Sequence, residues 1–101
     1  MAKLTMVQAL NLALRQEMEK DDQVIVLGED VGMDGGVFRV TDGLIDRFGK
    51  ERVVDTPLAE SAIVGMSIGM ALYGLKPVCE MQFSGFSYHG FHQIENHAAR
   101  L

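Results

Sequence analysis

Three short apolar runs, separated by segments with helical periodicity, constrain this chain most. The runs are "QVIVLG" at residues 23–28, "RVVD" at 52–55 and "KPVCEMQF" at 76–83. A short run of apolar and β-branched residues is typical of a strand buried on both faces. Because helical segments lie between the runs, consecutive strands need crossover connections. The sequence therefore predicts an α/β fold with a parallel sheet.

The first helix is predicted from a cap and an apolar stripe. Thr5 is a favourable N-cap residue. The apolar positions after it are three or four residues apart, as on one face of a helix: Val7, Leu10, Leu14 and Met18. The expected solvent side consists of Gln8, Asn11, Arg15 and Glu19.

Three further helices are predicted from their end signals. "TDGLIDRFG" favours a short helix with Thr41 as its cap and Gly49 as its stop. Pro57 suits the first turn of a helix over about residues 58–73, which Gly74 ends. The last helix, "FHQIENHAARL", should carry one apolar face, made of Phe91, Ile94, Ala98 and Leu101.

Small residues recur at every fourth position of the helix over 58–73, at Ser61, Gly65 and Gly69. A ridge without side chains allows another backbone to approach closely. We therefore expect this helix to be buried against another element, and its small residues to pack at a subunit contact.

Composition excludes several classes of protein. The 101 residues carry a formal net charge of −5, and the nine basic residues are scattered, which argues against a nucleic-acid partner. A single cysteine, Cys79, excludes an intrachain disulfide and fits a reducing compartment.

The N-terminus has no apolar signal core. The uncharged run Ser61–Leu75 is too short for a membrane span and contains three glycines. We predict a cytoplasmic protein without a membrane partner.

Length and pattern indicate part of a domain. The chain is 48% hydrophobic, which is high for its size, so some apolar surface needs a further segment or a partner to cover it. The sequence stops within the last helix, after only three predicted strands. We expect residues 1–101 to be the N-terminal part of a longer protein.

Polar and aromatic residues gather where the predicted strands end. In parallel α/β sheets, ligands bind at the carboxyl ends of the strands. Those ends are Gly28-Glu29-Asp30, Asp55 to Glu60, and Gln82 to Phe86. The three segments are expected along one edge of the sheet, which is the candidate ligand site.

Glu60 is the most distinctive of these residues, because no charged residue follows it until Lys76. Taken alone, it could simply be a carboxylate that stabilises the start of a helix through the helix dipole. Glu29 could likewise belong to a turn, Gln82 to a strand edge, and Phe86 to the core.

Other candidate sites are weaker. His89, His92 and His97 are three and five residues apart, which does not match the two-histidine spacing of a helical zinc site, so no metal site is predicted. Cys79 is mid-strand and is interpreted as structural. The glycines of "GMDGGVF" lack the spacing of a phosphate-binding loop, so the phosphates of any bound cofactor should be held elsewhere.

The order of these motifs resembles one family. "VIVLGEDVGMDGGVFRVTDGL", "RVVDTPLAESAIVGMSIGMALYGLKPVCEMQF" and "FHQIENHAAR" are similar to the beta subunits of thiamine diphosphate-dependent 2-oxo acid dehydrogenases. These subunits belong to the first components of the pyruvate, branched-chain 2-oxo acid and acetoin dehydrogenase complexes. The resemblance extends from Thr5 to Arg100. It implies the thiamine diphosphate-binding fold, with an incomplete three-layer pyrimidine-binding domain.

The resemblance assigns roles to site residues. Glu60 matches the catalytic glutamate that bonds the aminopyrimidine ring nitrogen, where a shared proton favours the imino tautomer and lets the cofactor deprotonate its own thiazolium carbon. An apolar setting raises the proton affinity of a carboxylate, as such sharing requires. Leu58 matches a backbone contact to the pyrimidine, Phe86 matches a stacking ring, and Glu29 and Gln82 match polar cofactor-site residues.

The resemblance also implies partners. The family forms α2β2 heterotetramers in which the alpha subunit holds the diphosphate and Mg²⁺, and the acyl group passes to the lipoyl domain of an acyltransferase core. The family's active-site histidine of the beta subunit lies past residue 101. Two alternatives remain open, namely a transketolase-like enzyme, which would need no dehydrogenase alpha chain, and a non-catalytic α/β interaction module.

Overall fold

The computed structural model describes residues 3–100 and contains three parallel strands with helices on both faces. The predicted α/β fold with a parallel sheet is confirmed. In chain order the elements are α1 (Met6–Lys20), β1 (Val24–Gly28), α2 (Leu44–Phe48), β2 (Val53–Asp55), α3 (Glu60–Leu72), β3 (Lys76–Glu80), a 3-10 turn (Ser84–Ser87), α4 (Tyr88–Gln93) and a π-helical turn (Ile94–Ala98).

The first strand is the centre of the sheet, because the strand order is β2-β1-β3. Gly28, the last residue of β1, is in register with Asp55 on one side and Glu80 on the other. All three strands therefore end at the same level. The register places the segments after them along one edge, as the sequence predicts.

The core lies mainly on the face covered by α1 and α2. Met18 of α1 and Leu44 of α2 pack with Val24 and Val26 of β1 and with Val53 of β2. Full burial of side chains of this kind contributes about 1.5–3 kcal/mol each. Strand alternation turns the other buried residues of β1 to the opposite face, where α3 packs on β3. The helices α2 and α3 thus lie on opposite faces of the sheet. Right-handed crossovers require this, because β2 and β3 flank β1 on opposite sides.

The predicted cap of α1 is confirmed. The Thr5 hydroxyl accepts a hydrogen bond from the Gln8 backbone N–H at 3.1 Å, and the Gln8 side chain accepts one from the Thr5 N–H at 3.0 Å. The predicted solvent side is partly wrong. Asn11 donates to the carbonyl oxygens of Val40 and Asp42, and Arg15 donates to Asn11, because the segment before α2 packs against this flank of the helix.

The predicted cap of α2 is wrong. The cap position is Gly43, whose φ of +78° favours glycine, and it makes no side-chain cap bond. The Thr41 hydroxyl instead donates to the carbonyl oxygen of Val31 at 2.7 Å and is buried there. Gly49 ends the helix as predicted, with its N–H bonded to the Ile45 carbonyl oxygen.

The start of α3 differs from the prediction, whereas its end agrees. The helix begins at Glu60, so Pro57 lies outside it, in the irregular segment after β2. Gly74, with φ of +97°, follows the last residues of the helix in the left-handed conformation. The later start makes Glu60 the first residue of the helix.

The small residues of α3 are not its buried face. Within residues 3–100, α3 is buried through Glu60, Ile63, Val64 and Ser67, whereas Ser61 and Gly69 are exposed. A Cβ atom at Gly69 would meet nothing within 4 Å. The helix does pack against α4 and β3, as expected, and Gly65 is half-buried against Gln93, but the expectation is wrong for Ser61 and Gly69. A subunit contact at the ridge stays a prediction.

The helix α4 approaches α3 through Gly90, which is buried. A Cβ atom at Gly90 would lie 2.6 Å from Cγ2 of Val64 and 3.4 Å from the Glu60 carbonyl oxygen, so only glycine fits without displacement. Of the predicted apolar face, Ile94 and Ala98 line one groove beside α3 and β3, Phe91 and Ile94 are partly exposed, and Leu101 lies outside the described residues. Within residues 3–100, no helix has both the length and the apolar character needed to cross a membrane.

Candidate functional site

The segments that follow the three strands meet at one edge of the sheet, as predicted. Asp30, directly after β1, has a φ of +59°, which sharply turns the chain away from the strand. The Gln82 amide nitrogen, in the segment after β3, lies 3.2 Å from Oδ2 of Asp30 and 3.4 Å from the Glu29 carbonyl oxygen. Gln82 therefore connects the ends of β3 and β1 through its side chain.

Two glutamates pair at this edge. Glu29 is 5% exposed and Glu60 is 8% exposed. Both carboxylate oxygens of Glu29 are buried, and no described residue donates a hydrogen bond to them. The Glu60 carboxyl group lies close enough to form a hydrogen bond with Glu29 when one of the two is protonated. The two acids are thus each other's polar neighbour in an apolar setting.

The pairing raises the pKa of Glu29. Burial is the largest cause, since it disfavours the charged carboxylate. The hydrogen bond with Glu60 follows, and then the negative charges of Glu60 and Asp30. Glu29 is therefore an acid that holds its proton more tightly than an exposed glutamate does, and the Glu60 carboxyl group lies beside it.

A surface depression lies beside Glu60. It has a volume of about 330 Å³ and lies at the start of α3, where it is lined by Leu58, Ala59, Glu60, Ser61 and His89. Leu58 is 78% exposed, so it offers the depression an apolar side chain. A buried acid next to an exposed apolar group suits a flat ring that has a basic nitrogen.

The glycine-rich segment after β1 is held by Asp55. The Asp55 carboxylate accepts hydrogen bonds from the backbone N–H groups of Gly32 at 2.7 Å and Met33 at 3.2 Å. A Cβ atom at Gly32 would lie 2.6 Å from the same carboxylate, which explains the glycine. Sequence reasoning missed this role of Asp55. The only signals for it in the sequence were an acid at the end of one strand, Asp55 of β2, and a glycine shortly after the end of the neighbouring strand β1.

Phe86 lies apart from the depression. Its ring is 5.3 Å from that of Phe83, and Phe83 is 5.3 Å from Phe38, both pairs edge-to-face. Phe86 is half-buried and does not line the depression. The structure therefore brings together Glu29, Glu60 and Gln82, with Leu58 beside them, and it does not bring Phe86 to the same depression.

The remaining titratable side chains include one that the sequence did not single out. Glu80, at the end of β3, has a buried carboxylate oxygen to which no residue among 3–100 donates a hydrogen bond, and burial raises its pKa. Among residues 3–100, no three histidine, cysteine or acidic side chains are arranged to hold a metal ion. The rings of His92 and His97 contact each other edge-to-face at 5.8 Å. Cys79 is half-buried.

Fold and site together define a class. A parallel α/β sheet, with a paired-acid site and a depression at the carboxyl edge of its strands, is typical of a ligand-binding α/β domain. The chain belongs to the transketolase pyrimidine-binding domain family, whose model matches residues 2–100.

Curated relatives narrow the comparison. The chain is 54% identical over 101 residues to the pyruvate dehydrogenase E1 component subunit beta of Acholeplasma laidlawii, which covers all of this chain and 31% of the relative. It is 59% identical over 97 residues to a 3-methyl-2-oxobutanoate dehydrogenase subunit beta of Mycobacterium tuberculosis, covering 96% of this chain and 28% of the relative. The 2-oxoisovalerate dehydrogenase subunit beta of Bacillus subtilis is 54% identical to the chain, and the match covers 100% of this chain and 31% of the relative. The chain thus spans about a third or less of the length of these relatives.

Proposed function

We propose that this chain is the N-terminal part of the beta subunit of a 2-oxo acid dehydrogenase that depends on thiamine diphosphate. With an alpha subunit it would catalyse oxidative decarboxylation of a 2-oxo acid and transfer of the acyl group to a lipoyl carrier. The names of the relatives support this, since they are pyruvate and branched-chain 2-oxo acid dehydrogenase beta subunits. The observation that carries the proposal is the buried Glu29–Glu60 pair at the depression.

The residues at the depression fit the pyrimidine end of thiamine diphosphate and not its diphosphate end. Glu60 lines the depression, and its neighbour Glu29 has a raised pKa, so the two acids can offer a proton to a basic ring nitrogen. Among residues 3–100, no lysine or arginine lines the depression, so none of these residues would neutralise a diphosphate there. This agrees with an alpha subunit that holds the diphosphate and Mg²⁺. In this proposal Glu60 is the catalytic residue, and Glu29, Leu58, Gln82 and Phe86 are the further residues of the cofactor site.

When bound, thiamine diphosphate supplies a carbon nucleophile that attacks the keto carbon of the substrate. The residues of this chain supply a proton at a defined position. Burial and the neighbouring Glu60 carboxyl group raise the pKa of Glu29, so this acid retains a proton more readily than an exposed glutamate does, and Glu60 can present it to the ring nitrogen. Gln82 fixes the Glu29 backbone through a hydrogen bond, which keeps the two acids in position. Leu58 can exclude water from one side of the ring.

The proposed assembly is an α2β2 heterotetramer in the cytoplasm that delivers acyl groups to an acyltransferase core with lipoyl domains. The open side of the sheet supports a longer subunit. Within residues 3–100, no strand pairs with the outer edge of β3. An apolar groove of about 500 Å³ lies between α1 and β3, and another of about 310 Å³ lies between α3, β3 and the last turn. We propose that the rest of the pyrimidine-binding domain covers these grooves.

Glu60→Gln in the full-length subunit, assembled with its alpha partner, tests the proposed function. The amide keeps the size of the side chain but cannot share a proton as a carboxyl group does. Loss of a general acid–base contribution typically lowers a rate by about 10²–10⁴-fold, and we expect decarboxylation to fall by that factor. Glu80→Gln is the matched control, because Glu80 is also a partly buried acid with a raised pKa but does not line the depression.

Exchange of the thiazolium proton for deuterium, followed by rapid quenching, isolates the activation step. We expect slow exchange in Glu60→Gln and parental exchange in Glu80→Gln. If Glu60 served only the helix dipole, its replacement would cost a fraction of a kcal/mol in stability, about 0.3–1 kcal/mol, and exchange would be unchanged. Parental exchange rates in Glu60→Gln would therefore refute the proposed role.

A further inference from the structure

His89 shares the depression with Glu60, although nothing in the chain's motifs assigns it a function. It directly precedes Gly90, whose backbone packs against the first turns of α3. A Cβ atom at Gly90 would lie 2.6 Å from Cγ2 of Val64 and 3.4 Å from the Glu60 carbonyl oxygen, so α4 packs directly on the first turns of α3 at this point. This packing places His89 at the depression that Glu60 also lines.

The three histidines near the C-terminal end of the described chain differ in their surroundings. His92 and His97 contact each other, ring against ring. His89 is exposed and lies instead beside Leu58 and Glu60. Its ring is flat, and in the neutral form one nitrogen donates a hydrogen bond while the other accepts one. An aminopyrimidine ring also has an amino donor and nitrogen acceptors on its edge, so the two are complementary.

We propose that His89 is a further binding residue of this site and contacts the aminopyrimidine ring of the ligand alongside Glu60. The inference rests on the proposed function, because the ligand is the cofactor named there. It adds a side chain of α4 to a site otherwise made from the ends of the strands and the start of α3. The proposal also accounts for the glycine at position 90, since a larger residue there would push His89 away from Glu60.

The test uses the full-length subunit assembled with its alpha partner, in the presence of Mg²⁺. Dissociation constants for thiamine diphosphate and for inorganic diphosphate are measured by calorimetry for the parent, His89→Ala and His92→Ala. One hydrogen bond contributes a net of about 0.5–1.5 kcal/mol, so we expect His89→Ala to weaken thiamine diphosphate binding by about 3–10-fold. Inorganic diphosphate should bind as it does to the parent, because His89 would contact only the pyrimidine end.

His92→Ala is the matched control, since it removes an α4 histidine that does not line the depression, and it should bind both ligands as the parent does. Parental affinity of His89→Ala for thiamine diphosphate would overturn the role of His89. Equal weakening of both ligands by His89→Ala would also overturn it, because that pattern indicates a general disturbance of the site. If the parent failed to bind thiamine diphosphate, the proposed function and the role of His89 would both fall. Parental binding together with an unaffected His89→Ala would leave the proposed function standing.

Discussion

Glu29→Gln should make the protein more stable and less active. In the parent, both oxygens of the Glu29 carboxylate are buried without a donor among residues 3–100, next to a second buried acid. An amide of the same size could donate a hydrogen bond to Glu60 and would carry no charge. The substitution therefore removes a buried charge and satisfies a buried acceptor, and it does so without changing the volume of the side chain.

The size of the gain follows from the cost of unsatisfied buried groups. Leaving a buried donor or acceptor without its partner costs about 1–3 kcal/mol, so we expect the free energy of unfolding to rise by that amount at neutral pH. The gain should depend on pH. Because the folded-state pKa of Glu29 is raised, the folded parent binds its proton more tightly than the unfolded chain, whose glutamates titrate near pH 4.3.

The sign of the pH dependence follows directly. Below the unfolded pKa, Glu29 is protonated in both states and resembles the amide, so parent and variant should have similar stability. As pH rises above that value, the parent loses stability until the folded pKa is passed, and the uncharged variant does not. The advantage of Glu29→Gln should therefore increase from about pH 4 towards neutral pH.

The assay pairs denaturation with turnover. Thermal unfolding of the assembled full-length protein is measured from pH 4 to 8 at one protein concentration, because oligomer stability depends on concentration. Decarboxylation is measured in parallel. Because an amide at position 29 cannot pass a proton to Glu60, turnover should fall by about 10²-fold, the lower end of a general acid–base contribution. Glu80→Gln is the control for a partly buried acid outside the site and should keep parental turnover. A Glu29→Gln variant that is less stable than the parent at neutral pH would refute the conclusion that the buried Glu29 carboxylate destabilises the fold.

Three other predictions concern packing and assembly. Gly90→Ala should cost about 1–3 kcal/mol of stability, because its Cβ atom would overlap Val64, whereas Gly85→Ala, which meets nothing within 4 Å, should change it little in the same urea titration. Gly69→Leu has free space within the described chain, so its predicted effect is on assembly: light scattering should show a smaller complex, and a parental mass would contradict a subunit contact at this ridge. Residues 1–101 alone should bind thiamine diphosphate with Mg²⁺ weakly or not at all by calorimetry, and tight, saturable binding would contradict the assignment of the diphosphate to the alpha subunit.

Local signals were sufficient for much of the fold. The Thr5 cap, the stops at Gly49 and Gly74, and the three strands all follow from residues within a few positions of each other. Thr41 shows where such signals fail. Its sequence context is that of a helix cap, but its hydroxyl bonds a carbonyl oxygen ten residues away, in a loop whose path the sequence does not indicate. The prediction that the ridge is buried at Gly69 failed for a related reason, since small residues have the same spacing whether another element or solvent faces them.

The candidate site likewise has features that the sequence predicts and features that it does not. The meeting of Glu29, Glu60 and Gln82 was predictable, because parallel strands place their carboxyl ends at one edge. The pairing of the Glu29 and Glu60 carboxyl groups was not, since it depends on the distance between two side chains from different elements. The position of His89 depends on the close approach of α4 at Gly90, which is likewise a property of tertiary packing.

Other acids of this chain show why the pair at the edge is better explained by function than by structure. The Asp55 carboxylate accepts two backbone N–H groups and fixes a loop. Asp21 bonds the Lys76 ammonium group at 2.5 Å, and this hydrogen bond lowers the pKa of Asp21. Asp21 and Asp55 thus have donors, whereas no residue among 3–100 donates to the two buried oxygens of Glu29 or to one oxygen of Glu80. Glu29 differs from Glu80 because a second buried acid, Glu60, lies beside it and also raises its pKa. Such an arrangement costs stability, and buried acids with perturbed pKa values concentrate at functional sites. A ligand that brings its own basic nitrogen to Glu60 would provide the partner that the chain itself does not.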